Sequence, residues 1–262
     1  MTQHSPIKTK VTDKILQVTI DRPKANAIDL KTSVIMGKIF SDFRDDPDLR
    51  VAILTGSGQK FFCPGWDLKA AAGGDLVDGD YGVGGFGGLQ ELPDLNKPVI
   101  AAVNGICCGG GLELALSCDL IVAAAHATFA LPEIKSGTIA DAASIKLPKR
   151  IPYHIAMELL LTGRWLDAHE GHKWGFVNEI VEPNILEARV YEIAQLICSG
   201  PPLVMSAIKE VVRESEDRNF QDMMNRVTKR QLKTVDTLYG SEDILEGQLA
   251  FTEKRAAKWK GK

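Results

Sequence analysis

Two glutamates and a run of three glycines are the residues of this chain best suited to chemistry. Glu113 stands two positions beyond Gly109-Gly110-Gly111, and Glu133 follows it by twenty residues. The glycines separate an apolar run, Pro98 to Val103, from a helical pattern. They leave backbone N–H groups bare of side chains at the positive end of a helix dipole. Such a turn holds an anion, or an oxygen that becomes one. Two carboxyl groups beside it point to acid–base chemistry on a carbonyl compound.

The elements that must position these groups can be read outward from them. Val99 to Val103 has the unbroken apolar character of a strand buried on both faces, and Asn104-Gly105 ends it. Leu120 to Ala124 is a second such run, followed by Thr128 to Pro132 and then Glu133. Upstream, Leu16, Val18 and Ile20 alternate with polar residues, as in a half-buried strand that Asp21-Arg22-Pro23 stops. Asp29 is placed to cap a helix with Ile35, Ile39 and Phe43 on its apolar face, ended by Asp45-Asp46-Pro47. Val51 to Thr55 is then another buried strand. Strand, helix, strand at this spacing implies a right-handed crossover and a parallel sheet.

The remaining segments are less regular. Residues 60 to 69 show no periodicity, and glycine fills half of the positions from Gly73 to Gly88, which reads as a mobile loop. Within it, Gly82 to Gly87 matches G-x-G-x-x-G. It follows no buried strand and opens no helix, so it is not read as a dinucleotide site. Residues 135 to 143 are loop-like, Ile145 to Leu161 reads as helix broken by Pro148 and Pro152, and Gly175 to Val181 reads as a last strand. Beyond it the pattern is helical: Leu186, Val190, Ile193 and Ile197 share a face, and Pro201-Pro202 starts another helix. We divide the chain at this point into an α/β core, residues 1–183, and a helical region, residues 184–262.

Composition narrows the function class. A net charge of −3 gives no general reason to bind nucleic acid or an anionic membrane. The five cysteines are odd in number and lack metal-ligand spacing, which suits a reducing, cytoplasmic setting. Cys107 and Cys108 read as small core residues without a neighbouring base. His169 and His172 lack the spacing of a zinc helix, and no G-x-S-x-G elbow is present. The first ten residues carry no apolar stretch, and no 18 apolar residues run together, so neither a secretion signal nor a membrane span is expected.

Taken together, Asn104-Gly105, Gly109-Gly110-Gly111-Leu112-Glu113-Leu114-Ala115 and Pro132-Glu133-Ile134 resemble the crotonase (enoyl-CoA hydratase/isomerase) family. Asp21-Arg22-Pro23, Gly65-Trp66-Asp67-Leu68-Lys69 and Ala250 to Arg255 extend the similarity over nearly the whole chain. The runs Arg22 to Asp29, Phe43 to Pro47 and Gly65 to Ala72 are similar to the branch that interconverts carnitinyl-CoA and crotonobetainyl-CoA.

That resemblance implies an α/β spiral of ββα units with helical C-terminal elements that assemble trimers, commonly paired as hexamers. It implies an acyl-CoA substrate, with no metal or redox cofactor, the coenzyme A being part of the substrate. By the same resemblance the backbone N–H groups of Trp66 and Gly110 hold the thioester oxygen, each such donor being worth roughly 3–4 kcal/mol to the transition state. Glu113 would activate water and Glu133 would exchange the α-proton. Lys69, Phe251 and Lys254 match positions that meet coenzyme A, the last two often from a neighbouring subunit. Arg255, Lys258, Lys260 and Lys262 extend a cationic cluster whose other reading is a solvated helix end.

The acyl pocket carries the specificity. The Trp66 ring, with Tyr81 and Phe86, is of the type that faces a trimethylammonium group, the alternative being that these rings pack the loop. Ala140-Asp141-Ala142-Ala143-Ser144 replaces the proline and Gly-Gly pair that follow Pro-Glu in family hydratases, one residue shorter. The added methyl groups and the shortened turn are expected to crowd or reshape the pocket, and Asp141 adds a third carboxylate. Ordinary enoyl-CoA hydration, double-bond isomerisation and thioester hydrolysis are the alternatives within the fold. A non-catalytic coenzyme A- or RNA-binding protein is the alternative outside enzymology; it would have no use for both glutamates.

Overall fold

A computed structural model of the chain describes residues 5–74, 76 and 78–262. The N-terminal strands β1 (Ile7–Thr12) and β2 (Ile15–Ile20) pair antiparallel, and helix α1 (Leu30–Asp45) leads to β3 (Val51–Gly56). Asp29 caps α1, its side chain accepting from the Thr32 N–H at 2.8 Å. The buried stripe of α1 is Met36, Phe40 and Phe43, while the expected Ile35 and Ile39 lie at its edge, only partly buried. The larger aromatic side chains took the centre of the stripe.

Three ββα turns follow. β3 crosses to β4 (Phe61–Cys63) and α2 (Leu68–Ala72); β5 (Val99–Val103) crosses to β6 (Ile106–Cys108) and α3 (Gly110–Ser117). The third joins β7 (Leu120–Ala124), β8 (Thr128–Ala130) and α4 (Glu133–Ser136). The first strand of each turn enters a six-stranded sheet of order β1-β2-β3-β5-β7, its far edge completed by a later strand, with every pair after the first parallel. The second strand of each enters a smaller sheet, β4-β6-β8. Helices α5 (Asp141–Lys146) and α6 (Tyr153–Thr162) precede β9 (Leu166–Asp167), which closes the small sheet. After α7 (Ala168–Trp174), β10 (Glu179–Val181) completes the large one, shorter than the strand read from Gly175.

The unbroken apolar runs have a direct cause. Ala52, Leu54, Val99, Ala101, Val103, Ile121 and Ala123 face the main core between the sheets, with Phe40, Phe62 and Phe129. Their alternates Val51, Ile53, Ile100, Ala102, Val122 and Ala124 face a second core covered by Leu186, Val190 and Ala194 of α8 (Leu186–Cys198). A strand with an apolar core on each side has no polar face to alternate with. Helices α9 (Pro202–Glu214), α10 (Phe220–Thr228) and α11 (Lys233–Tyr239) share a third, smaller cluster of Ala207, Met223, Leu232 and Val235, and α12 (Glu242–Glu253) follows.

The segment read as a mobile loop is in good part packed, although Asp75 and Val77 fall outside the described residues. Gly84, Gly85, Gly87 and Gly88 are buried. A methyl group at Gly88 would stand 2.0 Å from the Gly37 nitrogen of α1, with Gly88 itself at φ +69°. Here glycine permits contact between two backbones instead of supplying freedom. Leu89 and Leu92 anchor the far end in the main core.

Candidate active site

The three ββα corners converge on one cavity of about 560 Å³. Gly65 brings the first corner to the second: it lies at φ +94°, and a methyl group there would stand 2.9 Å from the Gly110 nitrogen. Trp66 follows in a one-residue bridge to Ile28, in which the Gly65 oxygen accepts from Ile28 N–H and Asp67 N–H donates to the Ile28 oxygen. That alternation leaves the Trp66 N–H on the opposite side. Gly110 opens α3, so its N–H has no partner within the helix. Among the described residues neither N–H makes a hydrogen bond.

Arg22 holds this corner together, a role that its place in a turn gave no reason to expect. Its guanidinium donates to the Ala27 oxygen and to Asp29 Oδ2 at 2.7 Å, and pairs with Asp67 Oδ2 at 3.1 Å. Asp29 caps α1 and Asp67 caps α2, so one side chain ties the starts of two helices on either side of Trp66. Burial pushes the Asp29 carboxyl up, but hydrogen bonds from Thr32 and the Arg22 charge outweigh it and leave it below its usual range. Asn104 ties the β5–β6 turn to the β3–β4 turn, its amide donating to Gly56 O at 2.9 Å and Gly58 O at 2.6 Å.

Glu113 and Glu133 both line the cavity. Glu113 is 6% exposed, and its Oε1 accepts from the Ala143 N–H at 2.9 Å. Burial drives its pKa up to about 7, and the Asp141 and Glu133 charges push the same way against the Ala143 bond. Glu133 opens α4, and a methyl group on Gly109 would stand 2.9 Å from its Oε1. Its pKa is raised too, by burial first and by Asp141 last, with its own N–H opposing. Two carboxyls titrating above the ordinary range, beside an open pair of N–H donors, are suited to exchange protons with a bound molecule.

Three polar atoms of the lining are buried and unpaired among the described residues: Trp66 Nε1, Gln90 Nε2 and Glu133 Oε2. Two are donors and one is an acceptor, so the cavity suits a polar occupant. Trp66, Tyr81 and Phe86 supply aromatic surface, the last two meeting edge to face at 5.8 Å. The Phe86 ring covers Gly110 so closely that a methyl group there would stand 2.5 Å from its Cε1.

The shortened segment does not crowd the cavity as expected. Ala143 is fully buried in the main core, and of residues 140–144 only Asp141 reaches the lining. The methyl group that seemed an obstruction points into the core, while its backbone N–H serves Glu113. Lys69, Phe251 and Lys254 do not line the cavity; Phe251 is 85% exposed on α12. Arg255 pairs with Glu246 and Glu253, and Lys260 with Glu242, so the cationic cluster is partly neutralised within the chain.

The other candidates stay structural. Cys63, Cys107 and Cys108 are buried, and burial pushes their thiols up, to about 12 for Cys63 and about 11 for Cys108. His172 shares its Nδ1 with the Val177 oxygen at 2.9 Å, and His169 is exposed. Among the described residues no group of His, Cys, Asp and Glu is set to hold a metal ion, and no helix is long and apolar enough to cross a membrane.

A family model described as enoyl-CoA hydratase/isomerase matches residues 10–262. The chain is 51% identical over 248 residues to a Salmonella arizonae protein named carnitinyl-CoA dehydratase, spanning 94% of this chain and 95% of that one. It is 49% identical over 262 residues to one of the same name from Citrobacter koseri, 100% and 97% being covered. Among solved structures, an enoyl-CoA hydratase of Mycobacterium marinum superimposes with a TM-score of 0.89 at 39% identity, covering 98% of this chain and 99% of that chain. One from Bacillus anthracis gives 0.89 at 32% identity, covering 98% and 100%.

Proposed function

Because this chain belongs to the enoyl-CoA hydratase/isomerase family, we propose that it adds water to, and removes it from, a short acyl-CoA thioester, the crotonobetainyl-CoA/carnitinyl-CoA pair. It acts as a hydro-lyase. In hydration, ionised Glu113 takes a proton from water as the oxygen bonds to the β-carbon. The electron pair moves to the thioester oxygen, held by the Trp66 and Gly110 N–H groups, and protonated Glu133 delivers a proton to the α-carbon. Dehydration runs these steps in reverse, with the protonation of the two glutamates exchanged. Carboxyls and backbone donors carry every step.

One observation supports the betaine substrate above all: among the described residues, the charged lining of the cavity is Asp78, Glu91, Glu113, Glu133 and Asp141 against a single lysine, among three aromatic rings. That lysine, Lys135, is turned to the Gly163 oxygen at 2.9 Å. A trimethylammonium group lies one carbon beyond the β-carbon on which Glu113 acts. Asp141, whose charge is felt by both glutamates, is therefore within range of it, and the rings offer cation–π surface. A binding protein would gain nothing from two carboxyls whose pKa values burial raises beside a pair of open N–H donors.

Coenzyme A is proposed to meet Lys69 and, from a neighbouring copy in a trimer or dimer of trimers, Phe251 and Lys254. The exposure of Leu245, Leu249 and Phe251 on α12 supports that arrangement. The reading is tested by following loss of enoyl-thioester absorbance with crotonobetainyl-CoA and with crotonyl-CoA, Glu133→Gln serving as control. Faster turnover of the betaine thioester is expected. Equal or faster turnover of crotonyl-CoA removes the substrate assignment, and undiminished turnover by Glu133→Gln removes the mechanism.

A further inference from the structure

Resting on that hydration reading, we propose that Gln90 is a positioning residue for the oxygen that is added or removed: its side-chain amide donates to that oxygen while Glu113 exchanges the oxygen's proton. Gln90 lines the cavity beside Glu113, and its Nε2 is buried without a hydrogen-bond partner among the described residues. A buried N–H donor in a polar cavity is there for an occupant to accept from. The amide faces the Glu113 carboxylate closely enough to lower its pKa, against the effect of burial, yet falls short of a formed hydrogen bond. A water molecule held between the two completes both.

The backbone under Gln90 is fixed to the backbone under Glu113. Lys146 Nζ donates to the Gln90 carbonyl at 3.4 Å and to Ser117 Oγ at 2.5 Å, and Ser117 Oγ donates to the Glu113 carbonyl at 2.7 Å. The next residue, Glu91, donates its N–H to the Gly84 oxygen at 2.9 Å in the close-packed glycine segment. Amide and carboxylate thus keep one separation, as the orientation of a reacting water requires.

A water molecule in attack presents one O–H to the base and directs one lone pair at the β-carbon. Its second lone pair has no use in the reaction and is the place for a donor. Gln90 supplies one and keeps its own protons throughout: the water's proton goes to Glu113, the oxygen's electron pair forms the C–O bond, and the α-proton comes from Glu133. In dehydration the same amide holds the departing hydroxyl oxygen as Glu113 protonates it.

The inference predicts that Gln90 matters for the oxygen and not for the α-proton, which separates it from a packing role. Gln90→Met keeps the length and removes the donor; Gln90→Glu keeps the shape and substitutes an acceptor. Two rates are measured in the full-length protein. One is hydration of crotonobetainyl-CoA. The other is solvent-deuterium exchange at the α-carbon of the saturated analogue of that thioester, which has neither double bond nor hydroxyl and needs only Glu133 and the oxyanion donors. Hydration is expected to fall about 10–100-fold in both variants with KM within about threefold, α-exchange remaining at the wild-type rate. Equal loss of both rates, or loss of neither, overturns the inference. Wild-type protein that hydrates no enoyl-CoA removes the hydration reading itself, and this inference with it.

Discussion

The main-chain N–H of Ala143 donates to Glu113 Oε1 at 2.9 Å, and this bond opposes the burial that carries the Glu113 pKa to about 7. On the proposed mechanism hydration needs Glu113 ionised and Glu133 protonated; dehydration needs the reverse. Either form carries one proton on the pair, and the net reaction takes up none. Therefore kcat/KM in both directions follows the same bell. Its alkaline limb is expected near pH 7, where the pair loses its last proton. Burial raises both carboxyls, so the pair keeps its last proton above the ordinary carboxylate range. Initial rates from pH 5 to 9 in each direction check this, and a plateau through pH 9 contradicts it.

The same carboxyl costs stability. Its folded pKa lies above the unfolded value, so the folded state holds a proton that the unfolded state has already lost between about pH 4.5 and pH 7. Stability from this group is complete below the unfolded pKa and declines as pH rises through about 7. Glu113→Gln is then expected to be more stable than wild type at pH 8 by up to about 3 kcal/mol, with the advantage vanishing near pH 4. Its activity is expected to fall about 10²–10⁴-fold. Denaturant melts at the two pH values are the check; equal stability at pH 8 would mean that Glu113 is not held neutral by burial.

Asp141 raises both glutamates, so its neutralisation has a signed effect. Asp141→Asn is expected to move the alkaline limb below that of wild type. It is also expected to reduce the preference for the betaine thioester over crotonyl-CoA roughly tenfold, since one opposite charge near the ammonium is lost. Competition between the two thioesters measures the ratio. An unchanged preference assigns ammonium recognition to the aromatic rings alone.

Arg22→Met removes the clamp across the caps of α1 and α2. On the proposed mechanism the Trp66 N–H then loses its fixed aim at the thioester oxygen, and kcat is expected to fall about 10²-fold with little change in KM. Arg22→Lys should recover little, because a single ammonium cannot span the Ala27, Asp29 and Asp67 oxygens together. Steady-state kinetics of both variants distinguish this from a role in binding coenzyme A, which would raise KM.

Much of this architecture is legible in the sequence where physical signals are long or chemically distinct. The apolar runs at Val51, Val99 and Leu120 mark strands between two cores, and the triple glycine marks the turn beside Glu113. The small sheet escapes notice because β4, β6 and β8 have three residues each, too few for a period to show. The glycines from 84 to 88 mislead for another reason. Composition does not say whether a side chain is missing to give freedom or to let two backbones touch, and at Gly88 it is the second. Arg22, Gln90 and the Ala143 N–H leave no local signature, since each acquires its part only when distant corners meet. The Ala140–Ser144 segment reads as crowding because the direction of a methyl group depends on packing that a sequence does not display.

The donors proposed for the thioester oxygen and the bond to Glu113 are all main-chain N–H groups, so a change of side chain at Trp66 or Ala143 leaves the donor itself in place. On the proposed mechanism the main-chain donors and the two glutamates store the reaction, and the rings at Tyr81 and Phe86 store the choice of acyl group. Two kinds of heritable information are thereby kept apart. A lineage carrying this scaffold can drift toward a new acyl group, one exposed or aromatic position at a time, without passing through an ancestor that has lost its chemistry.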